Sequence, residues 1–213
     1  MDQRTKVVAI AIVALMALAL GLGVGIRSSR DGDPPAIAGF VYPQPRELSA
    51  FTLVAHDGSE FNLDRLRGKW TFAYFGYTYC PDVCPTMLAE LARVQSLLAG
   101  AGLDDANQYL MISVDPKRDT PQHLAQYVPH FNKKLIGVTG TRAALDQLTQ
   151  QVGVAYDFPE GTDGENYPVS HSSIVALFDP DARLHAVFTV PHKAESIADG
   201  FRKLRTRWRA AES

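Results

Sequence analysis

The chain has 213 residues, 46% of them hydrophobic and 21% charged, with a formal net charge of −2 and two cysteines. That is the composition of a globular domain able to bury a core. It excludes a disordered tail, a collagen-like fibre, a polytopic membrane protein and a disulfide-dense secreted scaffold, and it gives no electrostatic ground for nucleic-acid binding.

The first thirty residues stand apart. From Val7 to Ile26 no residue is charged, and a helix over that run spans about 30 Å, the thickness of a bilayer core. Arg4 and Lys6 precede it and Arg27 and Arg30 follow, so the charge rule orients it only weakly; the short N-terminus favours an inside start with the main domain exported. The expectation is a membrane anchor over residues 1–30. The competing reading is a signal peptide cut after Ala17-Leu18-Ala19. Residues 31–49 hold Pro34, Pro35, Pro43 and Pro45 and read as a Pro-rich tether, leaving 50–213 as the globular domain. An anchor without an Arg/Ser-rich transit peptide points to a single-pass protein of a bacterial inner membrane, its soluble domain facing the periplasm.

From Phe51 onward the pattern is regular. Phe51–Val54 and Glu60–Asn62 flank His56-Asp57-Gly58 as a hairpin. Trp70–Tyr77 is an apolar, aromatic run suited to a buried strand. Pro85 suits a first helical turn, and Met87, Leu88, Leu91, Val94, Leu97 and Leu98 recur at helical spacing up to Gly100. Tyr109–Val114 is a second buried strand. Thr120 caps a helix opened by Pro121, Leu135–Val138 is a short strand, and Thr141 caps a helix to Val152. Ser172–Phe178 and Leu184–Val190 form a hairpin around Asp179-Pro180-Asp181, and Ala194–Trp208 is a closing helix. The order predicts an α/β domain with a mostly parallel central sheet and helices on both faces.

Cys80 and Cys84 follow the first buried strand and open its helix, in Cys80-Pro81-Asp82-Val83-Cys84-Pro85. The C-terminal ends of strands in open α/β sheets are where ligands bind, and a helix N-terminus stabilises thiolates. As a staple the pair is weak, worth about 2 kcal/mol for so short a loop, and export makes two idle thiols unexpected. The spacing points to redox or metal chemistry, with three residues between the cysteines where a thioredoxin-type exchanger has two. Two thiolates make a soft site suited to Cu(I) or Zn(II). Copper needs one further soft or imidazole ligand, whereas zinc wants four and no second cysteine pair exists. Of the six histidines, His56, His123, His130, His185 and His192 read as surface or packing groups. His171 ends the polar loop Glu160–Ser170 and directly precedes a core strand, a setting that can carry it back over the sheet end; on spacing alone, ligand and structural roles both stay open. Asp82 reads as nearby negative charge or as a turn residue. Asp115 and Asp119 read as groups that tune the site or shape a docking surface, or as plain turn chemistry. Tyr77 and Tyr79 read as packing groups near the site. The basic run Arg202, Lys203, Arg205, Arg207 and Arg209 reads as a solvated helix face, with anionic lipid or an acidic partner as the alternative.

Three separated motifs resemble one family. Phe75-Gly76-Tyr77-Thr78-Tyr79-Cys80-Pro81-Asp82-Val83-Cys84-Pro85-Thr86, then Val114-Asp115-Pro116 with Arg118-Asp119-Thr120-Pro121, then Val169-Ser170-His171-Ser172 are similar to the SCO/SenC family, over about Leu48 to Trp208. The departures are Tyr79, where histidine is common, and Met87 after the Pro-Thr pair. The resemblance implies a membrane-tethered, thioredoxin-like protein that helps assemble the copper centre of cytochrome c oxidase. It implies that Cys80, Cys84 and His171 bind one copper ion, Cu(I) with Cu(II) as the second state, and that the cysteines form a reversible disulfide. Its implied partners are the oxidase's copper-site subunit and a copper donor protein. The competing readings are a thiol–disulfide reductase acting through Cys80 and Cys84, which keeps the oxidase's copper-site cysteines reduced, and a copper or redox sensor.

Overall fold

The computed structural model describes residues 15–16, 35–159 and 167–212, and the chain divides into two compact units, Met1–Pro34 and Pro35–Ser213. The expected membrane anchor lies outside the described residues except for Leu15 and Met16. Among the described residues no helix is long and apolar enough to cross a membrane.

In chain order the second unit contains β1 (Gly39–Arg46), β2 (Leu53–Ala55), β3 (Glu60–Phe61), β4 (Trp70–Gly76), α1 (Val83–Gly100), β5 (Asn107–Ser113), α2 (Pro121–Tyr127), β6 (Leu135–Thr139) and α3 (Arg142–Val152). It continues with β7 (Tyr156–Asp157), β8 (Ser170–His171), β9 (Ile174–Phe178), β10 (Leu184–Thr189) and α4 (Ala194–Glu212). Eight strands form one sheet in the order β1-β10-β9-β4-β5-β6-β2-β3, and β7 pairs separately with β8. The helix starts follow the expected chemistry: Thr120 accepts from the His123 amide and Thr141 from the Ala144 amide, both through side-chain oxygens.

Two expectations are corrected. Among the described residues only β4–β5 and β5–β6 run parallel, and the other pairings of the large sheet are antiparallel, so the sheet is mixed rather than mostly parallel. A parallel neighbour needs a crossover, supplied here by α1 and by α2; the hairpins at β2–β3 and β9–β10 add antiparallel strands without one. Part of the expected tether is a strand. β1 pairs with β10 from Gly39 to Val41 and again at Arg46, with the register broken between. Pro43 and Pro45 fall in that break, and an edge strand with one neighbour tolerates prolines that a central strand would not. Val41 and Leu48 are buried, so the domain reaches back into 31–49.

All seven residues of β4 are buried, as a central strand covered on both faces requires. Phe72 stacks on Tyr109 of β5, and Trp70 and Phe72 meet Phe201 of α4 edge-on at 5.5 and 5.1 Å between ring centroids. On the same side Tyr74 reaches α1. The consequence for the site is geometric. β4 ends at Gly76, and antiparallel β9 begins at Ile174 beside it, with Tyr74 opposite Val175. The loop leaving β4 and the segment entering β9 therefore emerge at the same edge.

Candidate metal centre

The turn from β4 into α1 is seated on a buried carboxylate. Asp119, fully buried, accepts from the Thr78 amide at 2.9 Å, from the Thr78 hydroxyl, and from the Ser113 hydroxyl at 2.6 Å. Burial raises its carboxyl above the ordinary range against the pull of those donors, and Asp115 adds to the rise. On this seat the Cys80 amide donates to Tyr77 O at 3.4 Å. Asp82 occupies the N-cap of α1 but makes no side-chain cap bond. The Cys84 amide, which such a cap would normally satisfy, donates instead to Cys80 Sγ at 3.4 Å. A sulfur has taken the capping position of the helix.

Cys84 is fully buried and Cys80 half-buried, and neither is bonded to the other. Tyr74 donates its hydroxyl to Cys84 Sγ at 3.4 Å. Gly76 makes room: a Cβ there would stand 3.0 Å from Cys84 Sγ and 2.7 Å from Tyr74 Cε1. His171 completes the cluster from β8. Its Nε2 lies 3.5 Å from Cys84 Sγ, while Nδ1 lies 3.1 Å from the Ser172 carbonyl. A carbonyl only accepts, so Nδ1 carries the hydrogen and Nε2 presents its lone pair to the sulfur. Tyr77 stands perpendicular to the imidazole with centroids 5.8 Å apart.

The two thiols sit in opposite fields. Burial works to raise Cys80, but hydrogen bonds from the amides of Cys84, Asp82 and Val83 and from the Cys84 thiol outweigh it, and the net is below the ordinary thiol value. Cys84 is pushed up to about 12, by burial first, with the Tyr74 hydroxyl and the Tyr77 backbone opposing and Cys80 adding to the rise. Burial holds His171 below its ordinary value, with the Ser172 carbonyl opposing, so the imidazole is neutral at neutral pH.

Bonds of the lengths zinc makes, about 2.3 Å to thiolate and 2.0 Å to imidazole, place two ligands of a trigonal ion about 3.7 Å apart. The Cys84–His171 separation of 3.5 Å fits one ion between them. Among the described residues, however, no three His, Cys, Asp or Glu side chains are drawn close enough to hold an ion as they stand. The Cys80 sulfur is engaged with the Cys84 amide at the helix start.

The remaining sequence candidates divide. Asp115 and Asp119 are buried and bonded within the domain rather than displayed as a surface. His123 lies nearer the site than a packing role suggested: Nε2 is 3.0 Å from Thr78 Oγ1 and its ring stacks on Tyr79. His56 accepts from the Gly137 amide, and His185 lies against Trp70 and Trp208, both away from the thiols. Arg118 stood in the Arg118-Asp119-Thr120-Pro121 motif and pairs with Asp115 three residues before it; Tyr74 and Tyr167 had no signal in the sequence as site residues, because each acts through a partner away from it in the chain.

Residues 42–206 match the family model described as SCO1/SenC. The SCO2-like protein of Rickettsia prowazekii is 35% identical over 153 residues, which are 71% of this chain and 74% of that one. Among solved structures, Arabidopsis thaliana ScoI with copper bound aligns at TM-score 0.68 and 35% identity, covering 74% of this chain and 98% of that one. Bradyrhizobium japonicum ScoI with copper bound aligns at TM-score 0.64 and 32% identity, covering 73% and 98%. The mixed sheet and its helices fit the thioredoxin-like fold of these structures. On the family match and these likenesses together, the chain belongs to the SCO1/SenC family.

Proposed function

We propose that this protein is a copper metallochaperone that binds one ion through Cys80, Cys84 and His171 and delivers it to the copper centre of cytochrome c oxidase, tethered to a bacterial inner membrane by its first thirty residues. The observation that carries the reading is the Nε2 lone pair of His171 held 3.5 Å from Cys84 Sγ by a hydrogen bond on its far nitrogen. Two thiolates and a neutral imidazole suit Cu(I), and the copper-bound relatives support the choice of cargo. The ion enters on the half-exposed Cys80, and Cys84 and His171 close around it; loading releases the thiol protons. Delivery reverses the order. A partner thiolate joins the ion as one of these ligands leaves, so copper passes without being freed.

The test is an anaerobic Cu(I) competition titration of the reduced full chain in mild detergent, beside His171→Ala. One tight equivalent is expected, weakened at least about tenfold in the variant. Binding unchanged by the variant removes His171 from the site, and no tight binding ends the chaperone reading.

The unlike thiols favour one second reading, a thiol–disulfide reductase. Cys80 thiolate attacks a disulfide of the target, one target thiolate leaves, and Cys84 then attacks the mixed disulfide. The target gains two thiols and this chain a Cys80–Cys84 disulfide. That chemistry survives His171→Ala, whereas copper binding is weakened by it.

A further inference from the structure

His171 ends the two-residue strand β8, so the place of its imidazole depends on what holds residues 167–172. One hold is the pairing of β8 with β7, His171 opposite Tyr156 and Ser170 opposite Asp157, extended by Ser172. Ser172 N donates to Ala155 O at 2.8 Å, and Ser172 Oγ accepts from the Ala155 amide at 3.0 Å. The other is a side-chain clamp built on Asp115, which is fully buried just after β5. Its Oδ2 takes Arg118 Nε in an ion pair, and its Oδ1 accepts from the Tyr167 hydroxyl at 2.8 Å. The Arg118 side chain, only 8% exposed, puts its guanidinium carbon 3.6 Å from the centroid of the Tyr167 ring, 4.7 Å from that of Tyr79 and 5.5 Å from that of Tyr77. Tyr77 in turn accepts from the Val169 amide at 3.2 Å and stands edge-on to His171.

We propose that Arg118 is a positioning residue for His171, gripping the returning segment through Tyr167 and Tyr77 so that Nε2 is aimed at the thiols before any ion arrives; this rests on the copper reading of the site. A cation beside a site that binds a cation is electrostatically adverse. Here Asp115 cancels that charge, and what remains is a flat group that can stack on several rings while holding a carboxylate. An ammonium offers the charge without the plane. Holding the ligand in place beforehand spares binding the cost of ordering it.

The test pairs Arg118→Lys with His171→Ala in a double-mutant cycle, read by anaerobic Cu(I) competition on the reduced full chain in detergent. Arg118→Lys is expected to weaken Cu(I) binding about tenfold or more and to add nothing once His171 is gone. Equal losses in both backgrounds mean that Arg118 does not act through His171, and overturn the proposal. A second readout needs no copper: imidazole nitrogen NMR of the reduced, metal-free chain. The native protein is expected to show one Nδ1–H tautomer for His171, and Arg118→Lys an averaged signal; identical signals overturn the proposal. If the native chain binds no Cu(I), the copper reading fails and the NMR comparison still decides the clamp. Should Arg118→Lys fail to fold, Tyr167→Phe removes only the hydroxyl on Asp115, and the same two measurements apply with the same expected direction.

Discussion

At Cys80 the free amides of a helix start converge on sulfur, and at Cys84, four residues on, burial dominates. Thiolate, not thiol, is the nucleophile, so the pair should react unequally with iodoacetamide. Cys80 is expected to be carbamidomethylated already below the ordinary thiol range, with iodide leaving, and Cys84 to stay unmodified until the pH nears its value of about 12. Mass spectrometry of the peptides after brief alkylation of the metal-free, reduced chain at several pH values checks this, and equal labelling refutes it. The same asymmetry serves both readings of function: an exposed thiolate can meet an ion or a disulfide, and a shielded neighbour finishes the step. Gly76 belongs to this scale as well. A single methyl there would stand 2.7 Å from Tyr74 Cε1 and 3.0 Å from Cys84 Sγ, so the Tyr74 ring that donates to the sulfur has to shift.

Between elements, the far end of α1 is tied to the sheet by one carboxylate. Asp104, almost fully buried, accepts from Gln95 of α1, from the Tyr109 hydroxyl of β5 and from Lys134 just before β6, each at 2.7 Å. Burial works to raise this carboxyl, but the three donors outweigh it and hold it below 3.8. A carboxyl lowered on folding contributes stability above its unfolded value and loses it as pH falls through the folded one. Asp104→Asn is therefore expected to cost about 1–3 kcal/mol near neutral pH through poorly satisfied buried donors. The gap to the native protein should narrow below about pH 3.8. The exposed Lys134 contributes little of this, since solvent screens it. Denaturant midpoints at neutral and acid pH test the claim; a gap that is constant with pH refutes the linkage. The clamp on His171 has the same form one layer higher, with β5, α1's entry turn and the β9 approach joined through Asp115 and Arg118.

For the whole molecule, the proposed anchor makes a prediction separate from the metal. The full chain expressed in a bacterium is expected to sediment with the inner membrane, to resist alkaline extraction, and to be digested by protease added to spheroplasts. Release into the periplasm as a shorter chain would favour the signal-peptide reading, and a cytoplasmic product would refute export. The globular domain begins earlier than its composition suggests, because β1 completes the sheet edge beside β10. A soluble form cut at residue 50 would leave the outer edge of β10 unpaired, with β9 still on its other side, and remove Val41 and Leu48 from the core.

What the sequence determined by itself is whatever local chemistry dictates. Thr120 and Thr141 cap because their side chains reach amides three residues ahead, β4 reads as a buried strand because its run is apolar and aromatic, and Cys80 and Cys84 mark the site because one turn carries both. The family motifs were equally legible, being short and contiguous. Tertiary structure decided what depends on partners far along the chain. The prolines of β1 read as a tether, since only the edge position beside β10 makes a strand of them. The hairpins turned an expected mostly parallel sheet into a mixed one, because sequence order does not say on which edge a hairpin docks. His171 gained its geometry from β9 entering beside the end of β4, and of the Arg118 clamp only the pair with Asp115 is local, its rings coming from positions 77, 79 and 167. Spacing along the chain encodes contacts within a turn or two; contacts across ninety residues exist only once the sheet has set its order.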